Sequence, residues 1–73
     1  MEVKIVYCYP CGYIGIAQNL KKEIEKNVKK ANVKLVKGEH GILDISVNDK
    51  LIFSKYKEGR FPEAKEIIEK VKE

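Results

Sequence analysis

Ile5-Val6-Tyr7-Cys8-Tyr9-Pro10-Cys11-Gly12-Tyr13-Ile14 is the stretch on which the reading of this chain turns. Val3 to Tyr7 is rich in β-branched and aromatic residues, alternates in part, and reads as a short strand. The Cys-Tyr-Pro-Cys-Gly run then ends it in a turn. Beyond the turn, Ile14, Ala17, Leu20, Ile24, Val28 and Ala31 recur at spacings of three and four, an apolar stripe that predicts a long amphipathic helix. A pair of cysteines therefore sits where a strand gives way to a helix.

The rest of the chain supplies the partners of that unit. Asn32 to Lys37 reads as a second strand, with Val33 and Leu35 on one face. Gly38-Glu39-His40-Gly41 is a turn. Ile42 to Val47 alternates, with Leu43, Ile45 and Val47 directed inward and Asp44 and Ser46 outward. Asn48-Asp49 suits a tight turn, and Leu51 to Ser54 returns as the second arm of a hairpin. Lys55 to Arg60 reads as a polar loop. Pro62 fits the first position of a helix, where its missing N–H costs nothing, and Ala64, Ile67, Ile68 and Val71 continue that helix almost to the C-terminus. The expected order is βαβββα in one α/β domain over residues 1–73, with a mixed sheet and two amphipathic helices.

Composition narrows the function classes. The sequence shows no apolar leader and no run near the roughly 20 apolar residues of a membrane span; a cytoplasmic protein with no membrane association is expected. The net charge is +4, with 36% of residues charged, mostly Lys and Glu. In Leu20-Lys21-Lys22-Glu23-Ile24-Glu25-Lys26 both signs interleave at spacings that favour local ion pairs, a pattern also common in heat-adapted proteins. Arg60 is the one arginine, and no aromatic-interleaved basic run occurs, so nucleic acid is not an expected partner. The positive balance suits acidic proteins or an anionic thiol such as glutathione.

Cys8 and Cys11 are the only cysteines, and four readings compete for them. A structural disulfide is disfavoured, because bridging residues three apart closes a very small loop and restricts the unfolded chain little. Zinc takes four ligands as a rule; one CxxC and His40 would need a second copy to complete the set. Two inert buried thiols would make the spacing a coincidence. A redox pair has a mechanism. A helix N-terminus presents free N–H groups and positive partial charge, which favour a thiolate, and only the thiolate attacks a disulfide. The first cysteine of such a turn is normally the more exposed, so Cys8 is expected to be the nucleophile and Cys11, deeper, the resolving thiol. Pro10 stiffens the turn. Tyr9 offers either a substrate contact or cover for the sheet edge. Both cysteines are candidate catalytic residues; no metal or cofactor is expected, and a monomer is favoured over a homodimer.

Taken together these stretches resemble the selenoprotein W-like (Rdx) family. The likeness is carried by Ile5 to Tyr13, by Leu20-Lys21-Lys22-Glu23-Ile24, by the hairpin Leu43 to Lys55, and by Gly59-Arg60-Phe61-Pro62, which matches the family's G-x-F-P element. Many members carry selenocysteine in place of the second cysteine, where this chain has Cys11. The resemblance implies a thioredoxin-like fold and a thiol oxidoreductase that acts on disulfide-containing proteins or glutathione, or else a redox-regulated adaptor with little turnover. Thioredoxins place a cis-proline opposite the redox turn. Gly38-Glu39-His40-Gly41-Ile42 has no proline, so docking in the thioredoxin manner is not implied, although Glu39 to Gly41 should lie near the cysteines. His40 is a candidate proton acceptor or a solvated loop residue. Gly59 to Pro62 either forms a surface beside the redox turn or leads into the last helix with Phe61 capping the core. Tyr7 and Tyr13 read as packing residues.

Overall fold

The computed structural model describes residues 1–72. Its strands are β1 (Glu2–Cys8), β2 (Asn32–Gly38), β3 (Leu43–Val47) and β4 (Lys50–Ser54), and its helices are α1 (Ile14–Asn27), α2 (Lys55–Glu58) and α3 (Ala64–Lys72). The sheet order is β2-β1-β3-β4. β1 pairs in parallel with β2, a connection that needs a crossover, which α1 supplies. β1 runs antiparallel to β3 and β3 antiparallel to β4. The expected βαβββα order and mixed sheet are present, and β1 is a central strand.

Alternation divides the strands into two faces. Val3, Ile5 and Tyr7 of β1, Val33 of β2, Leu43 and Ile45 of β3 and Phe53 of β4 are buried against Ala17, Leu20 and Ile24 of α1 and Ile67 and Val71 of α3. Every one of these is apolar apart from the Tyr7 hydroxyl, so packing both helices on this face removes a continuous hydrocarbon surface from water. Val47 and Leu35, expected inward, pack against this core while remaining partly exposed. A register shift at Ile45/Ser46 gives β4 one extra residue there. Asn48 and Asp49 both take left-handed φ, 50° and 69°, and form the expected tight hairpin turn.

Four local expectations are corrected. α1 stops at Asn27, not at Ala31: Val28 is already extended, with φ −127°, and its amide closes the last turn on the Ile24 carbonyl. Val28 and Ala31 still pack on the core, so the stripe continues in space after the helix has ended. Lys55 to Glu58 is one helical turn, closed by the Gly59 amide on the Lys55 carbonyl at 2.8 Å. α3 begins at Ala64, with the Glu63 carbonyl accepting from Ile67, so Pro62 lies outside the helix. The interleaved charges of α1 form no ion pairs: among the described residues the pairs within 4.0 Å are Glu39–His40 and Arg60–Glu66.

Candidate functional site: the Cys8–Cys11 turn

Cys8 is the last residue of β1, so it keeps β2 on one side and the backbone just ahead of β3 on the other. Register sets it beside Gly38 of β2, and its amide donates to the Ile42 carbonyl at 2.8 Å. The Tyr9 amide donates to the Gly38 carbonyl at 3.0 Å. The Gly38–Ile42 segment thus straddles the start of the turn, as the sequence suggested for Glu39 to Gly41. Gly38 is required there by close approach: a Cβ on it would lie 2.6 Å from Ile42 Cγ2 and 3.0 Å from Val6 Cγ1.

Beyond Tyr9 the chain reverses. The Gly12 amide donates to the Tyr9 carbonyl at 3.1 Å, closing a four-residue turn with Pro10 in its second position, where a fixed φ is favoured. Gly12 has φ +78°, a left-handed value that suits glycine. The two cysteines are joined, with Cα atoms 5.3 Å apart, within the span of a disulfide.

Burial reverses the expected order of the two thiols. Cys8 is 0% exposed, whereas Cys11, at the tip of the turn, is exposed. The cause is topological. Cys8 is not the first residue of a loop but the end of a central strand, walled in by β2 and by the Ile42 backbone. Cys11 also lies nearer the helix, two residues before its cap Tyr13. The first turn of α1 has no side-chain cap and no acidic residue, so its positive end is left uncompensated.

Aromatic rings and lysines surround the turn. Tyr9 is 54% exposed, and Lys37 Nζ stands 4.4 Å from its ring centroid. Tyr13 packs against the core and meets Phe61 edge-on at 5.1 Å. Lys55 Nζ lies 5.9 Å from the Tyr13 centroid and 5.2 Å from that of Phe61. Phe61 is 42% exposed, so it forms a surface beside the redox turn and does not cap the core. The segment carrying it is fixed by two hydrogen bonds from the Arg60 guanidinium to Glu66, at 2.9 and 3.0 Å. That contact holds the Glu66 carboxyl below its ordinary range and raises Arg60.

His40 does not join the sulfurs' surroundings as a base. Its φ is +61°, its ring is almost wholly in solvent, 3.8 Å from Glu39, and its carbonyl accepts from the Tyr56 hydroxyl. Asp44 shares by register the sheet face of Val6, and its Oδ1 is shielded without a hydrogen-bond partner. Among the described residues no three His, Cys, Asp or Glu side chains gather as metal ligands, and no helix is long and apolar enough to cross a membrane. Sequence reasoning missed Lys37, Lys55 and Gly38. Periodicity marked the lysines only as solvent-facing, and their signal is spatial, through rings distant in the chain.

With this geometry in place, comparisons give a consistent result. The chain matches the family model of the Rdx family over residues 2–73. It is 28% identical over 72 residues to migration and invasion enhancer 1 of Bos taurus and 26% identical to that of Mus musculus. Each match takes in 99% of this chain but only 63% of the relative's length. Among solved structures, a selenoprotein W-related protein from Vibrio cholerae superimposes with a TM-score of 0.90 at 26% identity, covering 97% of this chain and 91% of the other. A protein from Bordetella parapertussis superimposes with a TM-score of 0.93 at 27% identity, covering 97% and 92%. The expected thioredoxin-like α/β fold is the one present.

Proposed function

This chain belongs to the Rdx family, and we propose that it is a thiol–disulfide redox protein whose Cys8–Cys11 pair exchanges disulfides with proteins or glutathione-type substrates. Family membership and the CxxC pair support a redox role. The observation that carries the finer reading is the asymmetry of the pair, one sulfur exposed and one buried within a single turn.

That asymmetry supports one order of steps. In the dithiol form the Cys11 thiolate attacks one sulfur of a substrate disulfide, forming a mixed disulfide and expelling the other sulfur as a thiolate that takes up a proton. Cys8, having given up its proton, then attacks Cys11 Sγ and releases the second substrate thiolate. The substrate gains two electrons, and the protein is left with the Cys8–Cys11 disulfide. Two equivalents of an external thiol of the glutathione class, or one dithiol, reverse the change. Attack by Cys8 first would require an approach to a sulfur that solvent does not reach. A reducing compartment such as the cytoplasm fits this cycle, since it keeps the resting pair as thiols.

A second reading, a redox-switched adaptor, draws on one observation: exposed Phe61 touches Tyr13, so a surface feature adjoins the redox turn. Both readings need a reversible intramolecular disulfide; they differ in turnover.

The test is trapping. Cys8→Ser, which leaves Cys11 free, should accumulate a mixed disulfide with glutathione disulfide or oxidised insulin fragments. Cys11→Ser should react at least about tenfold more slowly, because access governs the rate. If mild oxidation of the wild type yields no Cys8–Cys11 bridge, the redox reading fails.

A further inference from the structure

Resting on the exchange reading above, we infer that the redox turn selects polypeptide disulfides flanked by acidic side chains, with Lys37 and Lys55 as the two charge-reading residues. β2 and β4 are the opposite edges of the sheet, and β1 lies between them. Lys37 belongs to β2, and Lys55 follows directly on β4. The turn that springs from β1 is therefore flanked by one ammonium group on each side.

Each ammonium group is located by aromatic rings: Lys37 by Tyr9, inside the CxxC itself, and Lys55 by Tyr13 and Phe61. A ring face attracts a cation without neutralising it. Among the described residues neither lysine has a carboxylate within 4.0 Å, since the ion pairs found are Glu39–His40 and Arg60–Glu66. The uncapped start of α1 adds positive potential of its own. Glu39 is the carboxylate of the adjoining loop, and it is turned toward His40. Tyr9, within the turn, and Phe61, against Tyr13, are both exposed and give a peptide flat apolar surface to cover. A segment with a carboxylate on each side of its cystine would meet both cations as its sulfur meets Cys11.

The test measures second-order exchange rates of the reduced protein with three disulfide-linked peptides carrying Glu, Gln or Lys on both sides of the cystine. At low ionic strength the Glu-flanked peptide should react about tenfold faster than the Gln-flanked one. The Lys-flanked peptide should be the slowest, and the spread should collapse in about 0.5 M salt, where screening acts within a few ångströms. Lys37→Gln with Lys55→Gln should bring the Glu-flanked rate down to the Gln-flanked rate, and Lys37→Arg with Lys55→Arg should restore it. Lys26→Gln with Lys65→Gln removes the same net charge from exposed helix positions and should keep the preference. Equal rates for all three peptides, or loss of preference in this control pair, would overturn the inference and leave the exchange reading standing. No exchange with any peptide would overturn both.

Discussion

The two ends of β1 are tied to the same neighbouring strands by different means. At its N-terminal end side chains do much of the work. The Glu2 amide donates to Asn48 Oδ1 at 3.0 Å, Asn32 Nδ2 donates to Glu2 Oε1 at 3.1 Å, and the Asn48 amide donates to the Glu2 carbonyl at 2.8 Å. At its C-terminal end the ties are backbone only, Cys8 to Ile42 and Tyr9 to Gly38. Closing a strand end with main-chain groups leaves the side chains there uncommitted. The two cysteines, Tyr9 and Lys37 are free for chemistry at the end where the sheet is held without them.

That contrast can be broken most sharply at Gly38. The backbone closure depends on a residue without a Cβ, because Ile42 and Val6 occupy the space one would need. Both obstructing atoms belong to stiff β-branched side chains, so relief requires movement of the strand or of the Ile42 carbonyl that holds Cys8. Gly38→Ala should cost about 1–3 kcal/mol by overpacking, measured by urea unfolding, and should slow disulfide exchange as well. Unchanged stability would mean that this end does not depend on the close approach.

At the other end the expected effect is smaller and confined to stability. Asn48→Ala removes the acceptor for the Glu2 amide and puts a Cβ-bearing residue without a local polar partner at φ +50°. It should cost about 1–2 kcal/mol. Asn48→Gly keeps the turn and should lose only about half of that. Exchange rates should be those of the wild type in both variants. A slowed exchange would show that the two ends are mechanically linked along β1.

The same contrast explains what could be read from the sequence. β1 to β4, α1 and α3 are long enough for period to identify them, and the sequence reading found all six. α2 is one turn whose residues, Lys55-Tyr56-Lys57-Glu58, carry no apolar period. The end of α1 escaped because Val28 and Ala31 keep helical spacing while packing from a loop. The cysteine pair was legible from its spacing. Which thiol is buried was not, because that depends on β1 being central, and strand order is decided by β3 pairing on one side and β2 on the other. The lysines around the turn were illegible for a related reason: each owes its position to a ring brought near by the sheet.

Around the turn, side chains do tie two segments, Tyr56 to the His40 carbonyl and Arg60 to Glu66, and the second gives the smallest predicted effect. Arg60 holds Glu66 and with it the segment that sets Phe61 against Tyr13. Glu66 ionises below its ordinary value in the folded protein, chiefly because of the Arg60 hydrogen bond. A depressed carboxylate contributes stability that is complete above its unfolded value, about 4.3 for glutamate, and is lost as pH falls through the folded one. Arg60 stays charged throughout, so the acid limb belongs to Glu66. Both side chains are partly exposed, 50% and 25%, so solvent and salt screen the pair and the gain is small. Wild type should therefore be slightly more stable than Glu66→Gln at pH 7, and the two should converge as the pH falls through the range in which Glu66 takes up its proton. Convergence should also follow from high salt at pH 7. If the gap between them persists at low pH, the carboxylate charge is not what fixes this segment, and the contribution of Glu66 lies in its neutral hydrogen bonds and packing beside Phe61 and Tyr13.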